Sequence, residues 1–130
     1  MRSRSAGRWW GVVYDAPDPS VLADFYSALL DWPVASRDDN GAVVAPGGDS
    51  VAYISFQRCV EYVAPVWPPA EGKQQQMLHL DVEVDDLDAA VAEAVALGAT
   101  VAEHQPQETV RVLLDPAGHP FCLYTDATAS

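Results

Sequence analysis

The pattern of apolar and polar positions occurs twice along the 130 residues of the chain. In each copy a short alternating stretch leads into an acidic turn, which is followed by apolar residues at helical spacing. The copies span residues 11–29 and 79–97, and their offset is 68 residues (79 − 11, 86 − 18 and 97 − 29). Such internal repetition indicates that one strand–helix unit is used twice.

The first copy predicts a strand at residues 9–14 and then a helix, with Asp18 as its N-cap and Pro19 in its first turn. Residues 31–33 end that helix, and short strands follow at 34–37, 42–45 and 51–57. The second copy predicts a strand at 77–84, a helix that begins at residues 85–86 and ends at Gly98, and strands at 99–103, 109–114 and 120–125. The predicted order is therefore βαβββ, a connector, and βαβββ.

These elements predict an α+β fold in which two βαβββ modules form an incomplete barrel around a cleft. The predicted domain covers residues 9–126, with module 1 at about 9–58, a proline-containing connector at about 59–76 and module 2 at about 77–125. Residues 1–8 are predicted to be a flexible arm, and residues 127–130 a tail.

Composition narrows the class of protein. Apolar residues make up 49% of the chain, which excludes a disordered polymer, and no apolar run is long enough for a membrane span. The basic start of the chain has no apolar stretch like that of a signal peptide. Two cysteines, Cys59 and Cys122, are too few for a disulfide framework, so we expect a reduced, cytoplasmic protein.

The net charge is −12, from 7 basic and 19 acidic residues. This charge argues against nucleic acid and membrane surfaces as partners. It either serves solubility alone or favours cationic or neutral ligands.

In the first strand of each module, alternation places every second side chain on the face opposite the helix, which should be the concave face of the sheet. In the strand at 77–84 this face carries His79, Asp81 and Glu83, opposite an apolar face that the helix should cover. The matching strand of module 1 carries Trp9, Gly11, Val13 and Asp15. In the last strands, Ser55 and Gln57 share one face with Tyr53, and Cys122 shares one with Tyr124.

Three features of the chain resemble the vicinal oxygen chelate superfamily. They are the paired modules, the helix start with Asp18, Phe25 and Tyr26, and the turn at residues 115–121. Residues 65–69, followed by 76–81, make the chain most similar to the glyoxalase-like and bleomycin-resistance-like single-domain proteins. The resemblance covers about residues 9–125.

This resemblance implies a divalent metal held by four side chains, two from the first strands of the modules and two from the last strands. The corresponding positions are Gly11, His79, Ser55 (or Gln57 in another register) and Cys122. Only His79 is a good ligand, so we predict that the metal site is lost and that no cofactor is used. If a metal binds, the expected donors are His79, Gln57 and either Glu83 or Asp81.

The predicted function is metal-independent binding of a small molecule, sequestering a cationic or aromatic compound. The predicted ligand-binding residues are Trp9, Gln57, Trp67, His79, Asp81, Glu83, Cys122 and Tyr124. His79 is also the candidate catalytic residue, with Asp81 orienting it, unless it is a structural histidine.

Other interpretations stay open at this point. Asp81 and Glu83 either form an acidic patch or lie on a solvated edge, where Arg111 could pair with them. Trp67 is either a lid over the ligand or a packing residue. The alternative function is a divalent-metal-dependent lyase, isomerase or dioxygenase with a depleted metal site; a third is acid–base chemistry at His79 without metal. The resemblance also implies a homodimer.

Overall fold

A computed structural model describes residues 1–126 of the protein. Its elements follow the predicted order. They are β1 (Trp10–Ala16), α1 (Pro19–Leu30), β2 (Val34–Arg37), β3 (Gly41–Val44), β4 (Ala52–Arg58), β5 (Asp81–Glu83), α2 (Leu87–Leu97), β6 (Thr100–Val101), β7 (Val110–Leu114) and β8 (Pro120–Tyr124). The α+β class and the two βαβββ modules are therefore confirmed.

The chain divides into two compact units between Tyr62 and Val63, so most of the predicted connector belongs to the second unit. Each unit contains one open, four-stranded sheet. The strand orders are β1-β4-β3-β2 and β5-β8-β7-β6, and the first and last strand of each module pair in parallel. The predicted tail at 127–130 lies outside the described residues.

The first unit is held together by helix α1 on the apolar face of its sheet. Asp18 caps the helix by accepting a hydrogen bond from the backbone N–H of Ser20 at 3.1 Å, and Pro19 is the first helical residue. Tyr26 on the helix stacks on Phe56 of β4, with ring centroids 5.5 Å apart, and meets Tyr14 of β1 edge-on. This aromatic packing leaves the opposite face of the sheet open.

In the second unit a capped helix also packs on the sheet, but its side chains are smaller. Asp86 caps α2 by accepting from the N–H of Ala89, and Gly98 ends the helix with φ 122°, as predicted. Small side chains cover this part of the sheet, and Ala94 is the buried residue of the helix. The core beneath it is formed by Leu113, Phe121 and Leu123.

The predicted strand at 77–84 is wrong in its first half, because only Asp81–Glu83 are in the sheet. The β5–β8 register, extended from the pair of Asp81 with Cys122, places Pro120 opposite His79. The N–H of Cys122 donates to the carbonyl of Leu80, whereas Pro120 has no N–H to continue this ladder one step earlier. The strand therefore begins only after Leu80.

A tight turn joins β7 to β8, at the position that the sequence predicts. Asp115 is buried, and its carboxylate accepts from the backbone N–H groups of Ala117 at 2.9 Å and His119 at 3.0 Å. The ring Nδ1 of His119 lies 2.8 Å from the other carboxylate oxygen. The Asp115–His119 pair thus organises this turn from within.

None of the helices in residues 1–126 is long and apolar enough to cross a membrane.

Candidate functional site

The strand registers identify which residues of the two modules are equivalent. Val13 on β1 pairs with Ser55, and Asp81 on β5 pairs with Cys122. Since residues 13 and 81 are separated by the repeat offset, Ser55 and not Gln57 is the equivalent of Cys122. The three positions Gly11, Val13 and Ser55 of module 1 therefore correspond to His79, Asp81 and Cys122 of module 2.

In the second unit these three equivalent residues form a cluster of metal-ligating groups. One donor atom from each of His79, Asp81 and Cys122 lies within 4.8 Å of the other two. Nε2 of His79 is 3.2 Å from Oδ1 of Asp81, and these two side chains are 41% and 59% exposed. We call His79, Asp81 and Cys122 the donor cluster.

The Cys122 thiol is half-buried next to a carboxylate. Burial raises its pKa from 9.0 to about 11, and the charge and hydrogen bond of Asp81 add to the rise. The thiol is therefore protonated at neutral pH. In this state it is a poor nucleophile.

This predicts slow alkylation of Cys122. In a Cys59→Ser background, where Cys122 is the remaining thiol, we expect iodoacetamide to react about tenfold more slowly at neutral pH than with a thiol of pKa 9.0, and the rate to rise up to about pH 11. The thiolate fraction is about a hundredfold smaller, but the more basic thiolate is a stronger nucleophile and offsets part of that loss. Asp81→Asn should lower the thiol pKa and accelerate the reaction. Glu83→Gln, which removes the next carboxylate on the same face, is the matched control. Equal rates in the two variants would contradict this account.

In the first unit the equivalent place is filled by an aromatic ring. A β-carbon on Gly11 would lie 2.5 Å from Cδ2, Cε2 and the carbonyl oxygen of Tyr53. No side chain can occupy position 11 without moving both the ring and the backbone of β4. The sequence pattern placed Tyr53 on one face with Ser55 and Gln57, but its contact with Gly11 appears only with the β1–β4 register.

Tyr53 also pairs with a predicted ligand-binding residue. Its ring centroid lies 6.3 Å from that of Trp9, which is 58% exposed. On the same open face, Nε2 of Gln57 donates to Oδ1 of Asp15 at 2.7 Å. Trp9 and Tyr53 form an accessible aromatic pair, while Gln57 is engaged within its own unit.

The remaining predicted site residues lie in the second unit. Glu83 and Tyr124 pair across β5 and β8, one pair of same-face residues beyond Asp81 and Cys122. Nε1 of Trp67 donates to the carbonyl of His104 at 3.1 Å, so this indole is hydrogen-bonded to the loop before β7.

Arg111 donates to the carbonyls of its own segment, at Glu108 and Val110. These contacts hold Arg111 within its own segment, and the acidic patch of Asp81 and Glu83 stays a prediction.

The connector forms a hollow of about 680 Å³. It is lined by Pro69, Ala70, Glu71, Gly72, Lys73, Gln74, Gln75 and Met77. None of the donor cluster is among these lining residues, so the hollow and the cluster are separate features of the second unit.

The metal arrangement that the resemblance implies does not fit these residues. Of its four positions, Gly11 is covered by Tyr53 and Ser55 carries a neutral hydroxyl, so the first module offers no strong ligand. In the second module, His79 and Cys122 cluster with Asp81, which is not one of the four positions.

A model of the glyoxalase-like domain matches residues 11–124. The chain belongs to the glyoxalase-like domain family. This family assignment covers both modules and confirms the membership of the vicinal oxygen chelate superfamily that the motifs implied.

Solved structures of this superfamily share the fold of this glyoxalase-like chain. A glyoxalase/bleomycin resistance protein/dioxygenase family enzyme from Burkholderia phytofirmans is 18% identical, with 88% of this chain and 95% of that chain covered and a TM-score of 0.65. A glyoxalase/bleomycin resistance protein from Albidiferax ferrireducens is also 18% identical, with 91% and 98% covered and a TM-score of 0.59. The fosfomycin resistance protein FosX from Mesorhizobium loti is 13% identical, with 92% of each chain covered and a TM-score of 0.62. None of the curated proteins matches this chain by sequence.

Proposed function

We propose that this glyoxalase-like protein binds a small organic molecule without needing a metal, and that it sequesters a cationic, aromatic compound. The observation that carries the proposal is the contact of Tyr53 with Gly11, because an aromatic ring fills the space that a first-module metal ligand would need. The first module therefore offers an aromatic ring for stacking where the family arrangement would need a metal ligand.

The charges and aromatic groups on the open faces favour this class of ligand. In the first unit, Trp9 and Tyr53 offer ring faces that attract planar molecules and cations. In the second unit, Asp81 and Glu83 are exposed carboxylates on one strand face. With a net charge of −12, the protein attracts cations and repels anions at long range.

Resistance proteins among the similar structures are consistent with a compound-directed role. One is described as a bleomycin resistance protein and another as a fosfomycin resistance protein. Their low identity supports only the shared fold, so the choice of compound class rests on the charged and aromatic residues of this chain. The homodimer and the cytoplasmic location stay predictions.

A thermal-shift screen tests the proposal on chelator-treated protein. A planar aromatic cation should raise Tm, and its neutral isostere should raise it less; saturation at about 100 times Kd corresponds to about 2.7 kcal/mol. Trp9→Ala and Asp81→Asn each probe one unit and should reduce the shift if the residue contacts the ligand. Asp49→Asn removes the same charge from an exposed turn and serves as the control for Asp81→Asn.

The outcome against the proposal is equally concrete. If no aromatic cation shifts Tm, while the protein turns over a hemithioacetal or a catechol, the binding function is wrong. Loss of binding after chelation, restored by added metal, would contradict metal independence alone.

A second candidate is a divalent-metal-dependent lyase, isomerase or dioxygenase. The donor cluster favours it, because His79, Asp81 and Cys122 come together in the folded protein. Turnover that requires added metal and is lost in His79→Ala would support this candidate over simple binding. The role of His79 as a catalytic residue stays a prediction.

A further inference from the structure

The donor cluster combines three kinds of ligand atom in one unit. His79 and Asp81 alternate along the chain onto the same face, and Asp81 pairs directly with Cys122 on the neighbouring strand. The imidazole nitrogen, carboxylate oxygen and thiol sulfur are all within 4.8 Å of one another. The sheet register of module 2 pairs Asp81 with Cys122, and His79 lies just before the strand, so the cluster needs no residue of module 1.

The spacing is close to that of a zinc site. Tetrahedral Zn²⁺, with ligand distances of about 2.0–2.3 Å, separates its ligand atoms by about 3.5 Å, so small rotations of the His79 and Asp81 side chains would close the cluster. Both side chains are partly exposed and free to make such rotations. Two neighbouring carboxylates, Asp81 and Glu83, would also attract the positive charge of a zinc ion.

The donor types select the metal. A cysteine sulfur is a soft ligand that favours zinc over magnesium, calcium or manganese, while the imidazole and carboxylate are compatible with zinc. Three protein ligands leave one tetrahedral position for water or another small ligand.

We propose that His79, Asp81 and Cys122 bind one zinc ion within the second module alone. This site differs from the four-position arrangement of the superfamily, because it recruits Asp81 and dispenses with both positions of the first module. Binding forms a zinc–sulfur bond as the Cys122 S–H bond breaks, and the released proton goes to solvent.

The repeat supplies an internal comparison. The equivalent residues of the first module are Gly11, Val13 and Ser55, which offer a single neutral hydroxyl. The two modules share strand order and pairing, so the difference in predicted zinc binding depends on three side chains and not on the fold.

Cobalt binding followed by zinc displacement tests the proposal. The untagged full-length protein, with Cys59→Ser to leave Cys122 as the remaining thiol, is titrated with Co²⁺ and its near-ultraviolet absorption recorded. We expect one Co²⁺ per chain with a thiolate-to-cobalt charge-transfer band that Zn²⁺ abolishes. Cys122→Ser should remove the band, and His79→Ala and Asp81→Asn should each weaken zinc affinity by roughly tenfold or more.

Ser55→Ala is the matched control, since it changes the equivalent position of the first module and should leave the titration unchanged. A missing band in the parent protein, or a band that persists in Cys122→Ser, would overturn the proposal. An equal loss in Ser55→Ala would overturn its restriction to one module. His79 and Asp81 are exposed, so their variants keep the test decisive if Cys122→Ser fails to fold.

Zinc binding and compound binding both involve Asp81, but each can be disproved without the other. Zinc binding is measured without any organic compound, and compound binding is measured after chelation. If both hold, Zn²⁺ and the organic cation should compete for the acidic face.

Discussion

Replacing Gly11 with alanine is expected to lower the free energy of unfolding by about 2–3 kcal/mol, the cost typical of overpacking a close contact. The new methyl carbon would lie 2.5 Å from the ring and from the carbonyl oxygen of Tyr53. A ring can rotate, but the carbonyl belongs to the β1–β4 ladder, so the strands themselves must separate. Urea denaturation of the parent and the variant measures the difference.

Gly48→Ala is the control for this result. Gly48 has φ 60° and open space around it. Alanine there should lower the free energy of unfolding by about 1 kcal/mol, because a β-carbon is unfavourable in this left-handed backbone conformation. Adding Tyr53→Ala to Gly11→Ala should recover part of the loss, because the ring contact disappears while the carbonyl contact remains. If Gly11→Ala costs no more than Gly48→Ala, the close packing of Tyr53 on β1 is wrong.

Replacing Asp115 with alanine is expected to cost about 3 kcal/mol. Its buried carboxylate accepts from the N–H groups of Ala117 and His119 and contacts the His119 ring, so the variant leaves these groups without their acceptor. Thermal or urea unfolding measures the loss.

Asp49→Ala removes an exposed carboxylate from another turn and should stay within about 0.5 kcal/mol of the parent. Asp115→Asn keeps one acceptor oxygen and should fall between the parent and the alanine variant. A cost for Asp115→Ala as small as that of Asp49→Ala would show that the turn holds its shape without the carboxylate.

Local signals predicted the architecture well, because they act within a few residues. Asp18 and Gly98 are caps whose effect is confined to one helical turn, and each is found where the sequence placed it; the second helix likewise begins next to the predicted residues 85–86. The repeat then fixed the order of elements in both modules.

The ends of the strands and the contacts between site residues could not be predicted from alternation. They are set by pairing between segments that lie far apart in the sequence. Residues 77–80 alternate like a strand but are not in the sheet, because Pro120 on β8 cannot donate the next hydrogen bond. The choice between Ser55 and Gln57 was likewise open until the register was known. Cys122 and Asp81 were both predicted to line the ligand site, and only the strand register shows that they are direct neighbours.

The Gly11–Tyr53 contact also bears on how the first module could regain a metal ligand. A single change at position 11 to histidine meets the Tyr53 ring and carbonyl, so it would be selected against for stability before it could be tested for chemistry. Loss of the ring alone does not open position 11, because the carbonyl of Tyr53 stays in place. A side chain at position 11 therefore requires both the loss of the Tyr53 ring and a wider separation of β1 and β4.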